Sequence, residues 1–386
     1  MKTCDVTRRN ALLVIILMGV VSLFADVTYE GARGIIPVYL TAILGAPVAV
    51  LGIVIGLGDF VGYGFRLVSG RLADVTRGYW ALTIIGYLLN LLAVPLLAFS
   101  GSWQLAALLI IVERLGKAVR TPSRDFIISV VSKDFGRGKA FGIHEALDQI
   151  GAVAGPTIAS LVLFTYNQYS MAFLLFSIPA ALAILTLSAA YSFYKRQEIP
   201  SRRGDEARRT GLYRAYWVYT ASITLSTAGF MSIAFILYRS HGVFPDWFIP
   251  IIFLLAQAVD ALSGLLFGVL YDRYGLKIVS LAFPTAALVP IVALNVTPQT
   301  LLISASLFGI VLGAQETVQR AAVADLVDAE MRGTAYGIFN ALFGLAWFIG
   351  GVVVGILYEV DFKLIIAYST FLQVGATILM SKLIWK

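Results

Sequence analysis

Asp26, Tyr29, Glu30 and Arg33 fall at i, i+3, i+4 and i+7 in FADVTYEGARG, directly after a run from Ala11 to Leu23 that carries no charge. On a helix this spacing puts all four on one face. A carboxyl in apolar surroundings gains proton affinity from desolvation and loses it beside a cation. One that meets two aqueous phases in turn can therefore carry protons. Glu30 and Arg33 can also neutralise each other, with Arg33 reaching toward the outer surface, whereas Asp26 is harder to read as a surface residue. Other apolar stretches hold comparable groups: Asp59 with Arg66 seven residues on, Glu113 and Arg114, and the trio His144, Glu145 and Asp148. Asp260 and the pair Glu316 and Arg320, four apart, complete the set. The candidates for proton coupling or substrate binding are Asp26, Tyr29, Glu30, Asp59, Arg114, Asp148, Glu316 and Arg320. For the charged candidates a structural role is the competing reading, a self-satisfying ion pair in the case of Glu316 and Arg320. Arg120, Arg124 and Asp125 are placed nearer the cytoplasmic surface, in structural roles.

The elements that position these groups are set by composition. The 386 residues are 59% hydrophobic and 13% charged, with a mean hydropathy of +0.86, against about 25% charged in a soluble domain. This is the composition of a membrane protein. A lone Cys4 excludes an intramolecular disulfide, and no Cys or His spacing fits a structural metal site. The net charge of +7 is spread over short connections rather than collected on one module, which argues for anionic lipid headgroups and against nucleic acid.

A helix needs roughly 20 apolar residues to cross a bilayer core of about 30 Å. On that measure the spans fall near 11–35, 47–69, 79–99, 104–130, 140–163, 170–192, 215–239, 246–268, 278–295, 300–325, 334–358 and 363–383. The expected fold is thus all-α, with twelve transmembrane helices. Lys and Arg concentrate in alternate connections, and the positive-inside rule then places both termini in the cytoplasm. The polar stretch 194–214 divides the chain into a bundle over 1–193 and a second over 215–386. RGKAFGI (137–143) reappears as RGTAYGI (332–338), and GRLAD (70–74) as GVLYD (268–272). Such parallel repeats are a transporter architecture. Internal charge is essentially absent from the third, sixth, ninth and twelfth spans, which makes them the candidates to face lipid.

These motifs resemble the major facilitator superfamily of prokaryotic type, over essentially the whole chain. Its loop signature G-x-L-a-D-r-x-G-r-k is matched by Gly268, Asp272, Arg273, Gly275 and Lys277. In the first copy Gly70, Leu72 and Asp74 match, followed by Arg77, but the later glycine falls one place late at Gly78, so that loop is expected to be shaped differently. The resemblance implies a gating role for Gly70, Asp74, Arg77, Gly268, Asp272, Arg273 and Gly275. GAVAGP, with Gly151, Gly155 and Pro156, is similar to an element common in antiporters, and close helix packing also accounts for it. Arg114 stands where the family carries an intramembrane arginine.

The expected function is therefore secondary transport by alternating access: proton-coupled export or antiport of a small organic solute or drug, by a monomer in the cell membrane. No enzymatic activity and no cofactor are expected. Uncoupled facilitation of a cationic or metal substrate, or a receptor without transport, are the alternatives.

Overall fold

The computed structural model describes residues 2–132, 136–194, 212–328 and 331–384, the side chains of 2–10, 137, 138 and 320 excepted. Among these residues the chain is helical throughout, without a strand. Ten of its helical runs are long and apolar enough to cross a membrane. In chain order the helices are α1 (Lys2–Arg33), α2 (Val48–Thr76), α3 (Tyr79–Leu96), α4 (Trp103–Val131), α5 (Arg137–Tyr166), α6 (Tyr169–Leu175) and α7 (Ser177–Tyr194). They continue with α8 (Arg214–Ala228), α9 (Ile233–Ser240), α10 (Ile249–Tyr274), α11 (Ala282–Ala293), α12 (Pro298–Leu326), α13 (Arg332–Val360) and α14 (Phe362–Ile384).

Local chemistry sets the ends. The hydroxyl of Ser102 accepts the Leu105 amide at the start of α4. Thr297 and Thr300 form a reciprocal capping box ahead of Pro298, the first residue of α12, where proline's missing amide costs nothing. Left-handed Asn167 closes α5, its amide on the carbonyl of Leu163. The seventh expected span breaks after Ala228. Carbonyls at the break accept side chains as well: Ser226 from Gln373 at 2.8 Å and Ala228 from the Tyr368 hydroxyl at 3.0 Å, as a helix interrupted at membrane depth requires.

By contacts the chain forms two units, Met1–Ile35 with Phe65–Asp205, and Ile36–Gly64 with Glu206–Lys386. In the first, α1 packs on α5 and α7, and α3 packs on α4. The α1–α5 crossing leaves no room for side chains: a Cβ on Gly155 would lie 2.6 Å from the carbonyl oxygen of Val27, and one on Gly151 would lie 2.8 Å from the Cβ of Asp26. At the α3–α4 crossing, a Cβ on Gly86 would lie 2.6 Å from the Arg120 amide nitrogen, and one on Gly116 would lie 2.6 Å from the Gly86 carbonyl oxygen. In the second unit α10 packs on α12, α11 on α12, and α8 on α13 and α14. An aromatic group joins Phe230 to Phe308 and Trp347, at centroid separations of 5.0 and 5.6 Å, next to the break in the seventh span.

The two copies of the loop motif take positive φ at the same offset. Gly275, seven residues after Gly268, has φ of +60°, and Arg77, seven after Gly70, has φ of +55°. The first loop thus places an arginine in a backbone region that favours glycine. Beyond that residue the loops differ, as the displaced Gly78 leads one to expect: α3 starts at Tyr79 directly after Gly78, whereas Gly275 opens a 3-10 segment that runs to Leu281. Asp74 accepts the Tyr79 hydroxyl at 2.8 Å. Gly70 leaves ordinary contact room beside Pro122, and Gly268 packs near Thr317. Asp272 sits in the last turn of α10, and Arg273 lies over the ring of Tyr274.

Candidate functional site

Close approach of α1, α4 and α5 in the first unit, with α3 behind α4, concentrates its buried charge. On α1 the hydroxyl of Tyr29 donates to the Asp26 carboxylate, and Glu30 pairs with Arg33. From α4, the ammonium of Lys117 lies 3.9 Å from Glu30 and 4.1 Å from the centre of the Tyr29 ring. Arg114 pairs with Glu113 at 3.4 Å. Asn90 of α3 donates to the Glu113 carboxylate at 2.8 Å and to its carbonyl at 3.1 Å. Toward the other end of α4, Arg124 pairs with Asp125 at 2.8 Å and reaches the Ser22 hydroxyl of α1. On α5, His144 is buried with its Nδ1 3.4 Å from Asp148.

The helices hold these groups for identifiable reasons. Glu113, Lys117, Arg120 and Arg124 are spaced four, three and four residues apart, so they line one face of α4. The Gly86–Gly116 approach brings the α3 backbone against α4, which is what lets short Asn90 reach Glu113. Gly151 receives the backbone of α1 beside Asp26. Pro122 cannot return a hydrogen bond to the Ala118 carbonyl, and the hydroxyl of Ser69 supplies one at 2.8 Å.

Of the residues expected from sequence, Asp26, Tyr29, Glu30, Arg114 and Asp148 come together here. Asp26 is 6% and Glu30 5% exposed. Asp59 and Glu316 belong to the other unit: Asp59 is half-buried on α2 and Glu316 exposed on α12. The side chain of Arg320 lies outside the described residues. Glu145 is exposed and accepts from Gln149 at 3.2 Å.

Arg120 differs most from expectation. Expected near the cytoplasmic surface in a structural role, it is 0% exposed, about 25 Å along α4 from Trp103 at 1.5 Å per residue. Its guanidinium carbon lies 4.3 Å from the centre of the Tyr87 ring and 5.7 Å from that of Tyr29. Sequence reasoning also passed over Lys117, Tyr87 and Asn90. The stripe on α4 was open to view in its spacing, and Asn90, one turn after Tyr87, is a lone amide in an otherwise apolar span. Carboxylates Asp26, Glu30, Glu113, Asp125 and Asp148 are matched in number by cations Arg33, Arg114, Lys117, Arg120 and Arg124. A set this balanced carries little net charge into a membrane interior, where an unmatched charge is costly.

An all-helical membrane protein that buries such a cluster has the makings of a solute pathway. The sequence profile of the Major Facilitator Superfamily matches residues 15–259 and 247–386, and the chain belongs to that family. It is accordingly a membrane transporter of the major facilitator type, a multi-pass protein of the cell membrane. The uncharacterized protein Rv2265 of Mycobacterium tuberculosis is 37% identical over 373 residues, covering 94% of this chain and 91% of that protein. The uncharacterized MFS-type transporter MJ1317 of Methanocaldococcus jannaschii is 28% identical, covering 94% and 93%. Among solved structures, the nucleoside transporter NupG aligns with a TM-score of 0.73 at 17% identity, covering 95% and 98%. A peptide transporter, POT, aligns at 0.77 and 15%, covering 96% and 93%. At these identities the structures speak to the fold alone.

Proposed function

We propose that this chain is a proton-coupled secondary transporter of a small organic solute, acting as a monomer by alternating access. The observation that carries the reading is Asp26, buried on α1 with the Tyr29 hydroxyl as its hydrogen-bond donor, inside a cluster of matched charge. A carboxyl so placed changes charge when the ions around it shift, and alternation between two aqueous phases then moves a proton with each cycle. Asp148, next to His144 on α5, is the second proton candidate.

Twelve crossings follow if the 48-residue run Asp246–Ala293, which is long enough for two, is counted as two. The charged helix Trp103–Val131 is the remaining crossing. The alternation of basic loops puts both termini in the cytoplasm, and residues 194–214 link six-helix halves over 1–193 and 215–386. The loop residues Gly70, Asp74, Arg77, Gly268, Asp272, Arg273 and Gly275 gate the cytoplasmic side in this scheme. Aromatic residues beside the break between α8 and α9 favour a solute with an aromatic or amphipathic part. Exchange of solute for protons, and hence export, rests on GAVAGP, which close packing of α1 on α5 also explains. Cotransport uses the same carboxyls in the opposite sense.

The test is reconstitution into proteoliposomes loaded with a pH-sensitive dye, followed by pulses of solutes that stabilise the protein against heat. Proton movement that accompanies a solute supports the reading, and its direction separates exchange from cotransport. Solute flux with no proton movement refutes coupling.

A further inference from the structure

Among the described side chains, the cations on α1 and α4 are paired with one exception. Arg33 and Lys117 each have Glu30, Arg114 has Glu113, and Arg124 has Asp125. Arg120, fully buried, has no acceptor on Nε, Nη1 or Nη2. Asp26 accepts from Tyr29, and Asp148 lies beside His144. Among the described residues no carboxylate pairs with Arg120. A guanidinium stays charged at any working pH and presents five N–H donors. Left buried without an oxygen acceptor, it destabilises the fold. Its neighbours do not relieve that cost, because the Tyr29 and Tyr87 rings attract the cation but accept no strong hydrogen bond.

We propose that Arg120 is the receptor for an acidic group, carboxylate or phosphate, on the transported solute, with Tyr29 and Tyr87 holding the guanidinium for it. The inference rests on the transport reading and narrows its substrate class. A planar fork of donors matches the paired oxygens of either acid. The missing acceptor then arrives with the ligand. Lys117, 4.1 Å from the centre of the Tyr29 ring and 3.9 Å from Glu30, adds positive potential nearby. A neutral or cationic solute would leave Arg120 as it stands, unpartnered.

The experiment uses the full-length protein in lipid nanodiscs and reads thermal unfolding against millimolar benzoate, phenyl phosphate, benzamide and benzylamine. One or both acids should raise the melting temperature of the wild type in a concentration-dependent manner, while benzamide and benzylamine should not. A response to benzoate alone assigns a carboxylate, and to phenyl phosphate alone a phosphate. Arg120→Gln should abolish the response, Arg120→Lys should weaken apparent affinity about tenfold by losing the fork, and Arg239→Gln, elsewhere in the chain, should leave it unchanged. If Arg120→Gln does not fold, Arg120→Lys decides. Equal responses to benzamide and benzoate, no response to either acid, or an undiminished response in Arg120→Lys would overturn the assignment. Acid binding without proton movement would instead refute coupling and leave the receptor standing.

Discussion

Replacing Gly116 with alanine adds one methyl group at the tightest point between α3 and α4. The new Cβ would sit 2.6 Å from the Gly86 carbonyl oxygen and 2.9 Å from the Cα of Asn90, where ordinary contact begins at 3.4 Å. All of the obstructing atoms are backbone, so the helices must part by about 0.8 Å or more, an overpacking cost of about 1–3 kcal/mol. That movement stretches the 2.8 Å bond from Asn90 to Glu113 beyond useful range, a loss of about 1.5–3 kcal/mol for a charged acceptor. Alanine's better helix propensity returns about 0.5–1 kcal/mol. The net expectation is destabilisation by about 2–5 kcal/mol, read by equilibrium unfolding in mixed micelles. The same substitution at Gly142 of α5, where a Cβ meets nothing within 4 Å, should be neutral or stabilising. Adding Asn90→Ala to Gly116→Ala should cost less than Asn90→Ala alone, since the bond is already broken. Wild-type stability in Gly116→Ala, or strict additivity with Asn90→Ala, would refute the reasoning.

Further outcomes follow from single contacts. Asn90→Ala alone should cost about 1.5–3 kcal/mol in the same unfolding measurement, because it leaves Glu113 without its amide donor. Arg77→Gly should stabilise by about 1 kcal/mol by relieving positive φ at a non-glycine residue, while Gly275→Ala should destabilise. Gly151→Leu should prevent α1 from seating on α5 and abolish folded yield by size-exclusion chromatography. Tyr213, exposed ahead of α8, donates to Asp328 at 2.9 Å, and the neighbouring carboxylate holds its hydroxyl above the ordinary tyrosine range. In ultraviolet difference titrations against Tyr213→Phe its ionisation should come later than that of free tyrosine, and Asp328→Asn should bring it back down.

The all-helical, multi-span architecture was legible because the length of an apolar run is set by the bilayer. The stripe Asp26, Tyr29, Glu30 and Arg33 was legible because helical spacing alone puts it on one face. Its partners on other helices were not, since a period within one helix says nothing of what faces it. Arg120 was misread for this reason: its position in the sequence suggested a short reach to water, but the Gly86–Gly116 approach closes α3 over it and places Tyr87 on the guanidinium. The importance of Asn90 likewise depends on a crossing that only two glycines permit. The motif containing Arg77 shows the reverse, since the positive φ persists where its glycine does not.

The central claim is that Asp26 couples proton movement to transport. Reconstituted wild type and Asp26→Asn should be compared with a stabilising solute in two assays: counterflow, which exchanges labelled for unlabelled solute without a gradient, and accumulation driven by an imposed pH gradient. Asp26→Asn should keep counterflow and lose gradient-driven accumulation. Full gradient-driven accumulation by the asparagine variant would contradict the account.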